Sequence, residues 1–247
     1  MDDIAPTDPW VPTRCELCDR PTPNRPGLCL ACESTLPFVD VSRHCRYCAA
    51  PLRSRPSSGP TTERAHRHEA CSICHYERPA IDRLRSLCHY RSPLDMWVPR
   101  LKFHGELGLA RLLGGLFADR VVFTPGQIPE CVIPLPLHNN RLEERGFDQP
   151  LEICRSMSDR VNVPLRPELL VRCRATRRQS QMDMEHRQDN LRGAFSVNIA
   201  DDNVTLPLFV AIFDDVYTTG ATINEAAACL LDAGVERVEA WVIAHAD

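Results

Sequence analysis

The 247-residue sequence predicts an α/β fold built on a parallel sheet, with a small cysteine-rich module ahead of it. Three observations lead there. Four Cys-x-x-Cys pairs precede residue 75, in a stretch with too few aliphatic residues for a core of its own. Residues 208–213 form an apolar run, which suits a strand buried on both faces of a parallel sheet. From that run to residue 244 the order is strand, loop, helix, strand, a βαβ unit.

The pairs are Cys15–Cys18, Cys29–Cys32, Cys45–Cys48 and Cys71–Cys74. A Cys-x-x-Cys turn puts two thiolates on one side of a tight knuckle, and two knuckles complete a closed tetrahedral Cys₄ zinc site. Four pairs therefore predict two structural zinc ions. Pairing in chain order is preferred; a cross-braced arrangement, first with third and second with fourth, fits the spacing too. His66, His68 and His75 lie nearby as substitute ligands or as exposed side chains. Without metal the module is expected not to fold. The other five of the 13 cysteines stand singly, which is ordinary in a reducing compartment. The module is expected over 1–85 and the α/β domain over 86–247.

In the second part, leucines at 109, 112, 113 and 116 with Phe117 mark an amphipathic helix over 105–121. Cys131, Val132, Ile133 and Leu135 read as a buried strand, followed by a helix over 149–160. Short strands are expected over 169–173 and 194–197, then the strand over 208–213. A helix over 219–232 stops at Gly234, and a strand over 238–244 closes the chain.

Composition narrows the function. A net charge of −4 excludes a generally basic nucleic-acid binder, leaving only a local basic face. No apolar run reaches membrane-spanning length of about 18 residues. The acidic, proline-rich start does not resemble a signal peptide. The expectation is a soluble cytoplasmic chain. Lys102 is the single lysine among 29 Lys and Arg residues. Arg substitutes poorly for a compact ammonium, so Lys102 is a candidate site residue.

The chemistry gathers at 210–222. Asp214 and Asp215 follow the apolar run, and Thr218, Thr219, Gly220, Ala221 and Thr222 lead into the helix. Small hydroxyl residues and glycine let backbone N–H groups converge on an anion, and the helix start adds its positive dipole end. A phosphate on the loop and ribose hydroxyls on the carboxylates divide the work coherently.

This segment resembles the signature of type I phosphoribosyltransferases. More narrowly, the chain resembles the ComF family (competence protein F, or GntX-like DNA-utilisation proteins). The likeness includes the Cys-x-x-Cys knuckles, Tyr90-Arg91-Ser92-Pro93, Leu101-Lys102-Phe103 and Pro134-Leu135-Pro136-Leu137. It continues through Arg141, Arg145-Gly146-Phe147-Asp148-Gln149, and a block with Thr176, Gln179, Met182, Arg187, Asn190 and Ala194-Phe195. Asp148 stands where the family usually has Asn, and Met182 where it has Leu; no binding role is assigned to Asp148.

The resemblance implies a type I phosphoribosyltransferase-like parallel sheet with helices on both faces and a small hood. It implies that Asp214 and Asp215 hold the ribose 2′- and 3′-hydroxyls of phosphoribosyl diphosphate as the catalytic pair. Mg²⁺ would bridge those hydroxyls and the diphosphate. Residues Thr218, Thr219, Gly220, Ala221 and Thr222 would cradle the 5′-phosphate. Arg141 and Arg145 would meet the diphosphate, with Lys102 lining the same cleft. Gln179 and Arg187, with Arg177, Arg178 and Gln181, would sit on a flexible loop that closes over substrate.

Two functions compete. One is a phosphoribosyltransferase with an unknown acceptor, linked to DNA uptake in natural competence. The other is a non-catalytic nucleotide- and single-stranded-DNA-binding accessory of the transformation machinery, meeting a competence helicase. Arg43, Arg46, Arg53, Arg55, Arg64 and Arg67 around the second cysteine site suit DNA or a solvated face. A transcriptional regulator is disfavoured by the lack of a helix-turn-helix segment.

Overall fold

A computed structural model of the chain describes residues 14–22, 27–52, 70–120, 127–174, 193–198 and 205–246. Its centre is a four-stranded, all-parallel sheet in the order β1-β6-β5-β2. The strands are β1 (Arg83–His89), β2 (Cys131–Pro134), β5 (Phe209–Tyr217) and β6 (Arg237–His245). Two short antiparallel strands, β3 (Leu170–Arg172) and β4 (Phe195–Val197), form a separate hairpin-like hood.

Helices cover both faces, as expected. Along β5 the side chains alternate. Ala211 and Phe213 join one core with Trp241, while Val210 and Ile212 join the other with Val238 and Ala240. The first core is closed by α3 (Leu94–His104), α4 (Leu107–Arg120) and α6 (Gln149–Val161). Phe117 of α4 meets Phe213 edge-on at 5.8 Å between ring centroids and Trp241 at 5.7 Å. The second core is closed by α7 (Ala221–Asp232), through Ile223, Ala226, Ala227 and Leu230, and by the hood residues Leu169, Leu170 and Phe195. Helices α4 and α6 cross closely at Gly114: a Cβ there would stand 2.7 Å from the carbonyl oxygen of Ile153 and 2.8 Å from Cβ of Ser156.

The cysteine-rich segment holds two short helices, α1 (Leu30–Glu33) and α2 (Ser72–Tyr76). It covers the open edge of β1. The Leu84 N–H donates to the Arg46 carbonyl at 2.6 Å, Val39 N–H to Leu87 at 3.1 Å, and His89 N–H to Pro37 at 2.8 Å. At the end of this edge the rings of His44, His89 and His245 meet at steep angles, with neighbouring centroids 5.1 and 4.6 Å apart.

Several elements depart from the sequence expectation, among them helix Asn139–Arg145, which was not expected. The central strand does not end at Phe213. It continues to Tyr217, with Asp214 opposite Val242 and Tyr217 opposite His245. Helix α3 was not expected because it contains Pro99, and proline ordinarily interrupts a helical pattern. Strand β1 was not expected because its charged side chains break the apolar run; it begins at Arg83 and crosses residue 85. Among the described residues no helix is long and apolar enough to cross a membrane.

Candidate functional site

The carboxyl ends of β2 and β5 open into a cleft of about 310 Å³, the usual ligand position of an open α/β sheet. Lys102, Arg141, Arg145, Asp214, Asp215 and all of Thr218, Thr219, Gly220, Ala221 and Thr222 line it. The folded chain thus gathers in one place residues more than a hundred positions apart.

The extension of β5 decides how the two acids are presented. Successive side chains in a strand point to opposite faces. Asp215 follows Phe213 in facing α3, where Lys102 Nζ lies 2.9 Å from its Oδ1 and 2.8 Å from its Oδ2. Burial works against the charge on Lys102, but the Asp215 carboxylate, its hydrogen bond and Asp214 outweigh this and hold the ammonium above its ordinary pKa. Asp214 has no such ion pair among the described residues, and its Oδ1 accepts the Asp215 N–H at 2.8 Å. Burial first, and the Asp215 charge second, push its pKa up to about 7. The two neighbouring acids are therefore presented differently: Asp215 is held by Lys102, and Asp214 titrates near neutrality.

The opposite wall is basic. A seven-residue helix, α5 (Asn139–Arg145), carries Arg141 and Arg145 four residues apart and so on one face. Arg145 Nη1 donates to Gln149 Oε1 at 2.7 Å, and its guanidinium lies 5.6 Å from the Phe103 ring centre. The hood contributes Arg172, whose guanidinium sits 5.4 Å from the ring centre of Phe195. Burial, then the nearby Arg141 charge, lower the Arg172 pKa to about 10, with Asp214 opposing.

Arg172 and Gln149 were not assigned roles from sequence. Gln149 is 1% exposed and lines the cleft, and its Nε2 is a buried donor without a partner among the described residues. Such an atom is costly unless something accepts from it. The signal in sequence was only a glutamine in a block that resembled the family.

The phosphate loop follows directly from β5. Gly220 takes a left-handed φ of +73° and caps α7; Tyr217 packs against its Cα so closely that a side chain at 220 would overlap the phenol. Thr218 and Thr219 are exposed, and Thr219 Oγ1 accepts the Ala221 N–H at 3.4 Å. Expected at 219, the helix starts at Ala221, and Thr218, Thr219 and Gly220 precede it along the cleft wall.

Asp148 is structural, in keeping with the absence of an assigned binding role. Its Oδ1 accepts the Leu151 N–H at 3.0 Å as the cap of α6, and Oδ2 accepts from Leu137 N–H at 3.4 Å. Asn and Asp serve equally at such a cap, so the exchange relative to the family keeps the cap, while the second contact, to Leu137, needs the second carboxylate oxygen.

The eight thiols form two clusters, paired in chain order: Cys15, Cys18, Cys29 and Cys32, then Cys45, Cys48, Cys71 and Cys74. Within each, all ligand atoms lie within 4.8 Å of one another. Sulfur separations of 3.7 Å (Cys18–Cys29) and 3.6 Å (Cys48–Cys71) match the edge of about 3.8 Å set by Zn–S bonds of about 2.3 Å in a tetrahedron. Cys45 is drawn down to about 4, first by the Cys48 thiol, against burial, and then by N–H groups of Cys71, Tyr47 and Cys48. Cys48, through its hydrogen bond to Cys45, and Cys74, through burial, are pushed the other way. Each cluster can hold one zinc ion.

Several expected residues lie outside the described ones. They are Gln179 and Arg187 with the rest of the 176–190 block, His66 and His68, and Arg53, Arg55, Arg64 and Arg67. Arg46 is described, and its Nε donates to the Asp82 carbonyl at 3.0 Å.

No family model matches the chain. Individual relatives do. Competence protein F of Haemophilus influenzae is 29% identical over 88% of this chain and 96% of its own length. The DNA utilization protein YhgH of Salmonella typhimurium is 31% identical with the same coverage. The chain belongs to the competence protein F family. Competence protein ComFC of Bacillus subtilis is a further relative, 26% identical over 84% of this chain and 79% of its own. As a competence protein F family member, the chain joins two four-cysteine clusters that fit zinc ribbons to an α/β body with a four-stranded parallel sheet.

Proposed function

We propose that the cleft binds phosphoribosyl diphosphate and that the chain is a phosphoribosyltransferase serving DNA uptake. The observation that supports this best is the meeting of Asp214 and Asp215 with loop 218–222 on one side and Arg141, Arg145, Lys102 and Arg172 on the other. In this reading the loop N–H groups and the α7 dipole hold the 5′-phosphate, and the acids accept from the ribose hydroxyls. The guanidinium forks hold the diphosphate. The C1–O bond breaks with its electron pair leaving on the diphosphate, while an acceptor supplies the pair for the new bond and loses a proton. Charge builds up on the leaving group, where the arginines stabilise it without rearranging.

Lys102 already takes both oxygens of Asp215, so the protein alone does not offer a complete divalent-cation site. Magnesium would enter with the ligand, beside Asp214 and Asp215, and would supply charge neutralisation on the leaving group. The cytoplasm is the compartment this reading requires.

Calorimetry with phosphoribosyl diphosphate and magnesium tests the site. Binding should occur and weaken in Asp214→Asn/Asp215→Asn; no binding by the parent, or none lost in the variant, overturns the reading. Diphosphate release stimulated by an acceptor tests the transferase claim.

A second reading, non-catalytic handling of single-stranded DNA beside a helicase partner, is favoured by one observation. A groove of about 340 Å³ beside the second cysteine cluster is lined by Arg46, Arg83 and Arg85. The relatives' names, which speak of competence and DNA utilization, suit either reading. Single-strand affinity measured against salt separates them, since phosphate contacts weaken steeply as salt rises.

A further inference from the structure

The two cysteine clusters are attached to opposite faces of the sheet, and only the second reaches the phosphate loop. The first belongs to the core of α3, α4 and α6 through Cys15, Leu28 and Leu36. It is also pinned to α4 by Arg120, which pairs with Glu33 at 3.1 Å and stacks 3.7 Å from the Phe38 ring centre. The second belongs to the α7 side, where Ala49 and Ile81 share a core with Tyr217 and Cys48 packs against them.

Two side chains carry the connection onward. Tyr217 is the last residue of β5, 7% exposed, with its phenol beneath the Cα of Gly220. It shares the core of Ala49 and Ile81 against which Cys48 packs, and this packing puts the ring on the side of that cluster. Asn224, in the first turn of α7, accepts the Ala80 N–H on Oδ1 at 2.5 Å, and its own N–H donates to the Gly220 carbonyl at 2.8 Å. Ala80 lies six residues beyond Cys74, at the exit of the second cluster. Loop 218–222 is therefore held from below at both ends by the chain that wraps the second cluster.

We propose that Tyr217 and Asn224 are positioning residues through which the metallated second cluster holds the phosphate loop in its anion-binding shape. Metal at Cys45, Cys48, Cys71 and Cys74 then sets the affinity of the cleft for a phosphate-bearing ligand, while metal at the first cluster does not. The physical basis is preorganisation. A loop whose N–H groups must converge on an anion loses affinity when its support loosens, without losing any ligand contact. The ligand part of this inference rests on the phosphoribosyl diphosphate reading; the loop part does not.

The test uses the full chain with two zinc ions per chain verified. Tyr217→Leu and Asn224→Ala cut the connection and leave all eight thiols in place. Cys71→Ser removes a second-cluster ligand, and Arg120→Ala loosens the first cluster as the comparator. Amide exchange at 218–222 without ligand should rise in the first three variants and stay at the parent level in Arg120→Ala. Phosphoribosyl diphosphate affinity should fall about tenfold or more in the same three, equivalent to about 1.4 kcal/mol. Parent-like loop exchange in both Tyr217→Leu and Asn224→Ala overturns the inference, as does equal loosening in Arg120→Ala. Should the parent bind no phosphoribosyl diphosphate, the functional reading fails while the exchange measurement still decides this one.

Discussion

Lys102 Nζ lies 2.8 and 2.9 Å from the two carboxylate oxygens of Asp215, so the single lysine of the chain is spent on one acid of the site. The Asp215 side chain is 7% exposed, and removing its partner leaves a buried charge uncompensated. Lys102→Met should therefore destabilise the chain by about 3 kcal/mol, and Lys102→Met/Asp215→Asn should recover most of it. Urea denaturation of both variants checks this. A single variant as stable as the parent would show that water already satisfies Asp215.

Asp214 makes stability depend on pH with a defined sign. Its ordinary value of 3.8 rises to about 7 in the folded chain. Between these values the folded state holds a proton that the unfolded state has released, so stability falls as pH rises, by up to about 1.4 kcal/mol per pH unit. Below the window both states are protonated; above it the penalty is constant. Asp214→Asn should remove this slope and melt higher than the parent at about pH 8. Melting curves across the window decide it, and an unchanged slope in the variant would count against the assignment.

The α4–α6 crossing should be intolerant of one methyl group. Gly114→Ala forces a Cβ against the Ile153 carbonyl and the Ser156 side chain and should cost about 1–3 kcal/mol. Gly115→Ala meets only the end of the Arg160 side chain, which can swing away, and should cost much less. The two midpoints in urea, compared directly, test the geometry.

At Asp148 the two acceptor oxygens do separate work. Asp148→Asn should keep the α6 cap and forfeit only the longer Leu137 contact, whereas Asp148→Ala loses both and should cost about 1 kcal/mol or more, read from urea midpoints. If phosphoribosyl diphosphate affinity also changed strongly in the Asn variant, the position would have a direct part in binding.

The parts of the fold that could be read from sequence are those where one local pattern dominates. β5 showed as an apolar run because a central parallel strand is buried on both faces, and the Cys-x-x-Cys spacing announced its chemistry outright. The end of β5 could not be read, because Asp214 and Asp215 look like the start of a loop. They stay in the strand because β6 continues beside them to His245. β1 and α3 were hidden by edge polarity and by Pro99. Lys102 stood out as a compositional oddity, yet its partner is 113 positions away and no local rule names it. Arg172 and Gln149 enter the cleft only through the docking of the hood and the start of α6, and that is tertiary information. Chain-order pairing of the thiols was one of two arrangements that spacing allowed.

The cysteine-rich segment also covers β1, whose Leu84 and His89 N–H groups it satisfies. Were metal lost and the segment released, strand Arg83–His89 would be left as a bare, unpaired margin of a parallel sheet. Such a margin recruits other strands, including those of identical chains. Zinc supply would then govern whether copies of this protein remain dispersed or stick to one another, a question of solubility in the cell that is separate from anything the cleft binds.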